Sequence, residues 1–260
     1  VITTNQKPQL VFESSGTTGQ LVSKHYVIKP EIYEESYLNT FAHFYGNIKD
    51  YCILALLPSY MEREGSSLIY MVKDLIERSE NPKSGFYLDN KFELRKVLQS
   101  LDKSDHKTIL IGVSYALLDV AENHSMNLEN TIIMETGGMK GRRIELVRDE
   151  LHRILKNSFG LEAIHSEYGM TELLSQAYSK ANGIFKCTPW MSVSIRETDD
   201  PMSTETYGKI GGINIIDLAN IYSCSFIATQ DLGKVYKDGS FEVLGRFDHS
   251  DVRGCNLMVL

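Results

Sequence analysis

Cysteine is scarce in this 260-residue chain, and its placement follows no pattern. The four cysteines, at positions 52, 187, 224 and 255, form no C-x-x-C pair and no framework spacing. That excludes a disulfide scaffold and a zinc ribbon, and fits a reducing, cytoplasmic setting. Long hydrophobic runs are also missing. Cys52–Leu57 is typical of the longest, far short of the roughly 20 residues that cross a bilayer. Nor is there an excess of positive charge. The chain has 27 Lys and Arg against 34 Asp and Glu, a formal charge of −7, which argues against a general nucleic-acid or bilayer surface. There is no internal repeat, heptad run or low-complexity linker. No signal peptide is evident, and the start at Val1 suggests that upstream sequence is missing. What remains is an ordinary globular composition, 42% hydrophobic and 23% charged, long enough for one large domain or a domain plus a subdomain.

The first two thirds alternate short apolar runs with longer amphipathic ones. Strands are expected at Gln9–Glu13, His25–Ile28, Tyr51–Leu57, Gly85–Leu88, Thr108–Val113, Asn130–Glu135 and Leu161–His165. Helices are expected at Pro30–Tyr45, Ser66–Arg78, Lys91–Leu101, Ser114–Asn123 and Ile144–Asn157. In the last, Ile144, Val147, Leu151, Ile154 and Leu155 recur at helical spacing. This alternation implies an α/β fold with a mostly parallel sheet flanked by helices. After about Gly183 the runs become short and strand-like: Ile184–Cys187, Met191–Arg196, Lys209–Ile216, Ser223–Thr229, Lys234–Tyr236 and Phe241–Leu244. Asp238-Gly239 between two of them signals a hairpin. The expected division is a core at 1–182 and a small β-rich C-terminal subdomain at 183–260.

Chemistry concentrates in a few segments. Phe12-Glu13-Ser14-Ser15-Gly16-Thr17-Thr18-Gly19 crowds hydroxyls and glycines after an apolar run. Glycine allows close approach of backbone N–H groups to an anion, and the hydroxyls add donors, which suits a polyphosphate. No Lys-Ser/Thr follows, so it is not the common P-loop, and a plain turn would share its composition. Glu135-Thr136-Gly137-Gly138-Met139-Lys140-Gly141 sits between a strand and a helix, where parallel sheets bind ligands; a flexible connection is the alternative. Glu167-Tyr168-Gly169-Met170-Thr171-Glu172 offers an aromatic face, a hydroxyl and a hard-oxygen ligand for Mg²⁺. It also reads as the first turn of a helix. Thr229-Gln230-Asp231-Leu232-Gly233 places Asp231 at a strand end, able to accept from a ribose diol or simply to turn the chain. Arg246, in Gly245-Arg246-Phe247-Asp248, can contact ribose or phosphate.

Taken in order, F-E-S-S-G-T-T-G, Y-G-M-T-E, T-Q-D-L-G and G-R-F-D resemble the motif set of the adenylate-forming superfamily, the acyl-CoA synthetases and their relatives. The matches run from residue 12 to about 248, nearly the whole chain. The segment E-T-G-G-M-K-G-R-R at 135–143, Leu57-Pro58-Ser59-Tyr60 leading to Gly65-Ser66-Ser67, and the ending Asp251-Val252-Arg253-Gly254-Cys255 are similar to the acyl-protein synthetases of the bacterial bioluminescence fatty-acid reductase system.

That resemblance implies the large domain of the adenylate-forming fold without its small C-terminal domain. It implies ATP and Mg²⁺ as cofactors and a fatty or other carboxylic acid as substrate. It assigns Ser14, Ser15, Gly16, Thr17, Thr18 and Gly19 to the β- and γ-phosphates. Gly137 and Gly138 would lie against adenine, with Tyr168 stacked on the other face. Thr171 would touch the α-phosphate, Glu172 would hold the metal, and Asp231 and Arg246 would grip the ribose. Cys255 would accept the acyl group as a thioester, with coenzyme A the alternative acceptor and an acyl reductase a possible partner. A non-catalytic nucleotide-binding relative, or the incomplete core of a larger assembly, is the reading from another class. The catalytic Lys of the missing small domain has no assigned counterpart here; Lys24, Lys140 and an upstream residue are candidates. Cys52, Cys187 and Cys224 lie in apolar runs and are expected in the core. His25, His43 and His165 lack metal-ligand spacing and read as structural. The apolar stretch Gly65–Val72 can line an alkyl channel or simply be core.

Overall fold

The computed structural model describes residues 2–14, 22–58, 65–88, 91–104, 106–123, 125–137, 143–144, 146–200, 202–204 and 206–247. The chain opens with an antiparallel pair, β1 (Leu10–Glu13) and β2 (Lys24–Val27), that bracket the Ser/Thr/Gly loop. Helices α1 (Pro30–Tyr45), α2 (Ser67–Ser79), α3 (Lys91–Asp102), α4 (Ser114–Asn123) and α5 (Arg148–Phe159) alternate with β3 (Tyr51–Leu56), β4 (Gly85–Phe86), β5 (Lys107–Val113), β6 (Thr131–Thr136) and β7 (His165–Tyr168). Then come β8 (Ala177–Ser179), β9 (Ile184–Lys186), β10 (Met191–Arg196), β11 (Ile210–Asp217), β12 (Phe226–Val235) and β13 (Phe241–Arg246).

One sheet of eleven strands runs β10-β11-β12-β13-β9-β8-β7-β6-β5-β3-β4. The α/β class and the large flanked sheet are as expected. Parallel pairing joins β4, β3, β5, β6 and β7, and from β7 onward every pairing is antiparallel. The parallel strands β3 and β5 are continuous apolar runs, buried throughout apart from Lys107, as burial on both faces demands. Alternation along β7 and β8 splits the interior in two. Tyr178 joins a large core with Leu54, Leu110 and Tyr37, whereas Tyr168 and Ala177 join a smaller one with Phe185, Ile213 and Phe241.

Several elements differ from the sequence expectation. Helix α5 begins at Arg148, with Val147 extended as its cap, and Ile144 and Val147 are 87% and 71% exposed. Asp149 and Glu150 in the first turn favour that start through the helix dipole, which outweighs the apolar period. β7 begins at His165 rather than ending there, so Tyr168 lies in the strand and not beyond it. The two strands expected around T-Q-D-L-G are one ten-residue strand, β12. Gly233 is no break: a Cβ there would stand 2.4 Å from Glu242 O and 2.5 Å from Ile213 Cδ1, so glycine serves close packing inside the sheet. Cys224 is exposed, because the chain there is still leaving a 3₁₀ turn and β12 begins only at Phe226. Cys52 is buried as expected, and burial pushes the half-buried Cys187 thiol up to about 12.

Two buried carboxylates set the energetics of the strand ends. Asp217 is fully buried and accepts from Leu174 N at 2.7 Å, Ser175 N at 3.1 Å, Ser175 Oγ at 2.5 Å, Ala219 N at 3.1 Å and Asn220 Nδ2 at 3.1 Å. Burial pushes its carboxyl up, against the pull of these donors. Glu167 is 8% exposed and accepts from Thr136 Oγ1 at 2.5 Å. Burial pushes it up to about 7; the Thr136 bond opposes this and the nearby Glu135 charge adds to it.

Asp217→Ala leaves buried donors unmatched and is expected to lower unfolding stability in urea by about 3–5 kcal/mol. Glu167 holds a proton when folded that the unfolded chain releases above its ordinary carboxylate range. Its contribution to stability is therefore full below about 4.5 and is lost as pH rises through about 7. His165, held down to about 4 by burial and by the Lys180 charge, acts with the opposite sign. The test is therefore the difference between wild type and Glu167→Gln. The variant is expected to gain on wild type by roughly 2–3 kcal/mol between pH 4.5 and 7.5; parallel stability curves would reject a neutral Glu167.

Candidate functional site

A reciprocal pair joins Ser14 and Ser23, which flank the Ser/Thr/Gly segment. Ser14 N donates to Ser23 O and Ser23 N donates to Ser14 Oγ, both at 2.9 Å. Ser23 Oγ then donates to Glu172 Oε1 at 2.6 Å, joining this pair to a residue 149 positions away. His25 Nδ1 lies 2.7 Å from Thr171 O. Thr171 and Glu172 form a turn past the end of β7, with Leu173 N donating to Met170 O at 3.0 Å; they do not begin a helix.

A second constellation sits on the other side of β7. Tyr168 hydroxyl donates to Asp231 Oδ2 at 2.7 Å, and Arg246 Nε lies 3.3 Å from Asp231 Oδ1. Asp231 and Arg246 are cross-strand partners on β12 and β13. Asp231 is therefore a mid-strand residue, 9% exposed, and not the strand-end turn its sequence context suggests. The Arg246 side chain is 72% exposed and free to reach a ligand. The ring of Tyr168 packs edge-on against Phe185 at 5.9 Å and Phe241 at 5.6 Å. Burial and the Asp231 charge raise its hydroxyl far above the ordinary tyrosine range.

Beside β7 lies the end of β6. Ser114 Oγ donates to Gly137 O at 2.7 Å. Gly137 has φ +64°, a left-handed turn that favours glycine. Thr136 pairs with Glu167 in register, which sets the two motif segments side by side at the carboxyl ends of parallel strands. Behind them Glu135, 5% exposed, faces Arg148 at 3.3 Å and His152 at 3.6 Å. Burial pushes the Glu135 carboxyl up, but the His152 bond and the Arg148 charge outweigh it and hold the group low.

Ser14, Gly137, Tyr168, Thr171, Glu172, Asp231 and Arg246 are thus linked through hydrogen bonds and adjacent strands. Ser15, Gly16, Thr17, Thr18, Gly19, Gly138 and Cys255 lie outside the described residues, as does Lys140. Lys24 pairs with Glu13 at 2.8 Å on the surface of the hairpin. Met71 and Val72 of the Gly65–Val72 stretch pack into the main core. His165 bonds Tyr45 at 3.1 Å. Sequence reasoning missed Ser23, Asp217, Asn220 and Ser223. Nothing in the sequence marks these four.

Among the described residues no three His, Cys, Asp or Glu side chains cluster as a metal site. A single carboxylate fits Mg²⁺ carried in by phosphate oxygens, since that ion commonly takes one or two carboxylates plus substrate phosphates. Glu172 meets that requirement, because Ser23 engages only its Oε1 and a carboxylate offers about four acceptor sites. No helix among the described residues is long and apolar enough to cross a membrane.

No protein-family model matches the sequence, and no curated protein does. Solved structures do match. The chain aligns with ATP-bound MatB from Rhodopseudomonas palustris at TM-score 0.67 and 17% identity, over 91% of this chain and 47% of that one. It aligns with O-succinylbenzoate coenzyme A synthetase (MenE) from Bacillus subtilis, in complex with ATP and magnesium, at TM-score 0.61 and 18% identity, over 91% and 49%. The luciferase-like enzyme of the nonluminescent mealworm Zophobas morio aligns at TM-score 0.61 and 15% identity, over 95% and 59%. The chain spans about half the length of MatB and MenE. At these identities the likeness is one of fold alone.

Proposed function

We propose that this chain activates a carboxylic acid with ATP, forming an acyl-adenylate and releasing pyrophosphate, and then passes the acyl group to a thiol. The observation that carries this reading is the Ser14–Ser23–Glu172 connection. It supports the reading by joining a carboxylate to the residues that flank the hydroxyl- and glycine-rich segment. The Tyr168–Asp231–Arg246 chain supports it, offering a carboxylate and an exposed guanidinium to a ribose diol.

In this scheme Ser14, Ser15, Gly16, Thr17, Thr18 and Gly19 bind the β- and γ-phosphates through N–H and hydroxyl donors. Gly137 and Gly138 leave room for adenine beside Tyr168, Thr171 touches the α-phosphate, and Asp231 and Arg246 orient the ribose. Glu172 would hold Mg²⁺, which when bound neutralises charge on the phosphates. The substrate carboxylate oxygen attacks the α-phosphorus and pyrophosphate leaves. Orientation and electrostatics carry this step without a protein nucleophile. A thiolate then attacks the acyl carbon of the mixed anhydride, forming the thioester as the acyl–oxygen bond breaks and AMP leaves. By resemblance to the bioluminescence synthetases, that thiol is Cys255 and the acid is fatty. The coenzyme A synthetase among the similar folds favours a second reading, with coenzyme A as acceptor.

Exchange of labelled pyrophosphate into ATP is expected to depend on a carboxylic acid, with a maximum at one chain length. Silence across a broad panel of acids overturns the ligase reading. Glu172→Gln is expected to slow exchange by at least about tenfold at limiting Mg²⁺, in line with the loss of one charged ligand. Cys255→Ser is expected to keep exchange but lose hydroxylamine-sensitive acyl label on the protein. Label that persists moves the acceptor elsewhere.

A further inference from the structure

β2 leaves the Ser/Thr/Gly loop, and alternate residues of an extended strand share a face. Ser23 and His25 are two apart, and both reach the Thr171–Glu172 turn. A backbone carbonyl only accepts, so the 2.7 Å contact with Thr171 O places the proton on His25 Nδ1. Nε2 lies 3.0 Å from Ser223 Oγ. The ring is 7% exposed, and burial holds it below its ordinary range against the Thr171 bond and the Glu172 and Asp217 charges. A neutral ring makes Nε2 an acceptor for the Ser223 hydroxyl. That single proton is shared with Asn220 Oδ1, also 3.0 Å away. From the far side Asn220 Nδ2 donates to Glu172 O at 2.9 Å, and is itself held by Asp217 Oδ2 at 3.1 Å.

The turn is therefore gripped from two directions, by β2 and by the 217–223 segment, and His25 touches both. Resting on the ligase reading, we propose that His25 is a positioning residue for Glu172. Its Nδ1–H bond to Thr171 O fixes the turn so that the Glu172 carboxylate stays within reach of Ser23. The consequence is specific: His25 strengthens binding of magnesium–ATP and leaves metal-free ATP unaffected. A histidine that merely filled the interior would affect both equally.

The two ring nitrogens can be separated by substitution. The amide nitrogen of Asn can take the place of Nδ1, and that of Gln the place of Nε2. The full chain is titrated calorimetrically with ATP, once with excess Mg²⁺ and once with EDTA. His25→Asn is expected to stay within about threefold of wild type in both. His25→Gln and His25→Leu are expected to lose about tenfold with Mg²⁺ and to change less than about twofold with EDTA, the scale of one hydrogen bond. Equal losses in the two conditions, equal losses for Asn and Gln, or wild-type affinity in His25→Leu each overturn the proposal. If His25→Leu does not fold, amide exchange at Leu173 in the Asn and Gln variants decides. Protection is expected to hold in His25→Asn and to fall in His25→Gln; the same protection in both overturns the claim. A wild-type chain that binds no ATP in either condition overturns the ligase reading and with it the magnesium effect. Exchange at Leu173 still tells whether His25 holds the turn.

Discussion

A single buried carboxylate organises the region where this sheet changes from parallel to antiparallel pairing. Asp217 ends β11 with no exposure to solvent and gathers donors from Leu174, Ser175, Ala219 and Asn220. Burying such a charge is costly unless its lone pairs are matched. The matching forces the segment after Tyr168 to lie against the 217–220 turn. Glu172 then falls where Ser23 can reach it, and Asn220 can hold its carbonyl. Without that constraint Ser23 and the turn carrying Glu172 would lose a shared anchor.

β7 divides the labour of the site by the simple alternation of a strand. Tyr168 points into the smaller core and holds Asp231, while Glu167 points to the other face and meets Thr136. Neighbouring residues thus serve opposite sides of one sheet. The Tyr168 side carries the groups assigned to a ribose. The Glu167 side lies near the tyrosines of the main core, whose hydroxyls burial raises above the ordinary tyrosine range. Parallel pairing with β6 brings Gly137 alongside, so three separate stretches of sequence converge at the strand ends.

Much of this was legible in the sequence because local chemistry set it. Pro30 at the first turn and an amphipathic run gave α1, and the continuous apolar runs gave β3 and β5. The motif residues announced themselves through unusual concentrations of glycine and hydroxyl groups. Legibility failed wherever tertiary contact replaced local preference. Gly233 looked like a break because its crowding by Glu242 and Ile213 comes from other strands. Ile144 and Val147 fitted a helical period but are left in solvent. Asp217, Asn220, Ser223 and Ser23 carry no sequence signature, since their meaning lies in partners distant along the chain. The fold was therefore readable and the motif segments recognisable, whereas the scaffold that orients them was not.

The place of β13 has a further consequence. It is the last strand described, ending at Arg246, yet it lies between β12 and β9 in the interior of the sheet. During synthesis the sheet stays divided until that strand has left the ribosome, with β9 and β12 each offering an open edge. Pairings of such long sequence separation form slowly, and open edges invite wrong partners meanwhile. A nascent chain halted before residue 241 would thus carry two exposed templates. The strand that carries Arg246, the partner of Asp231, is also the one that seals them.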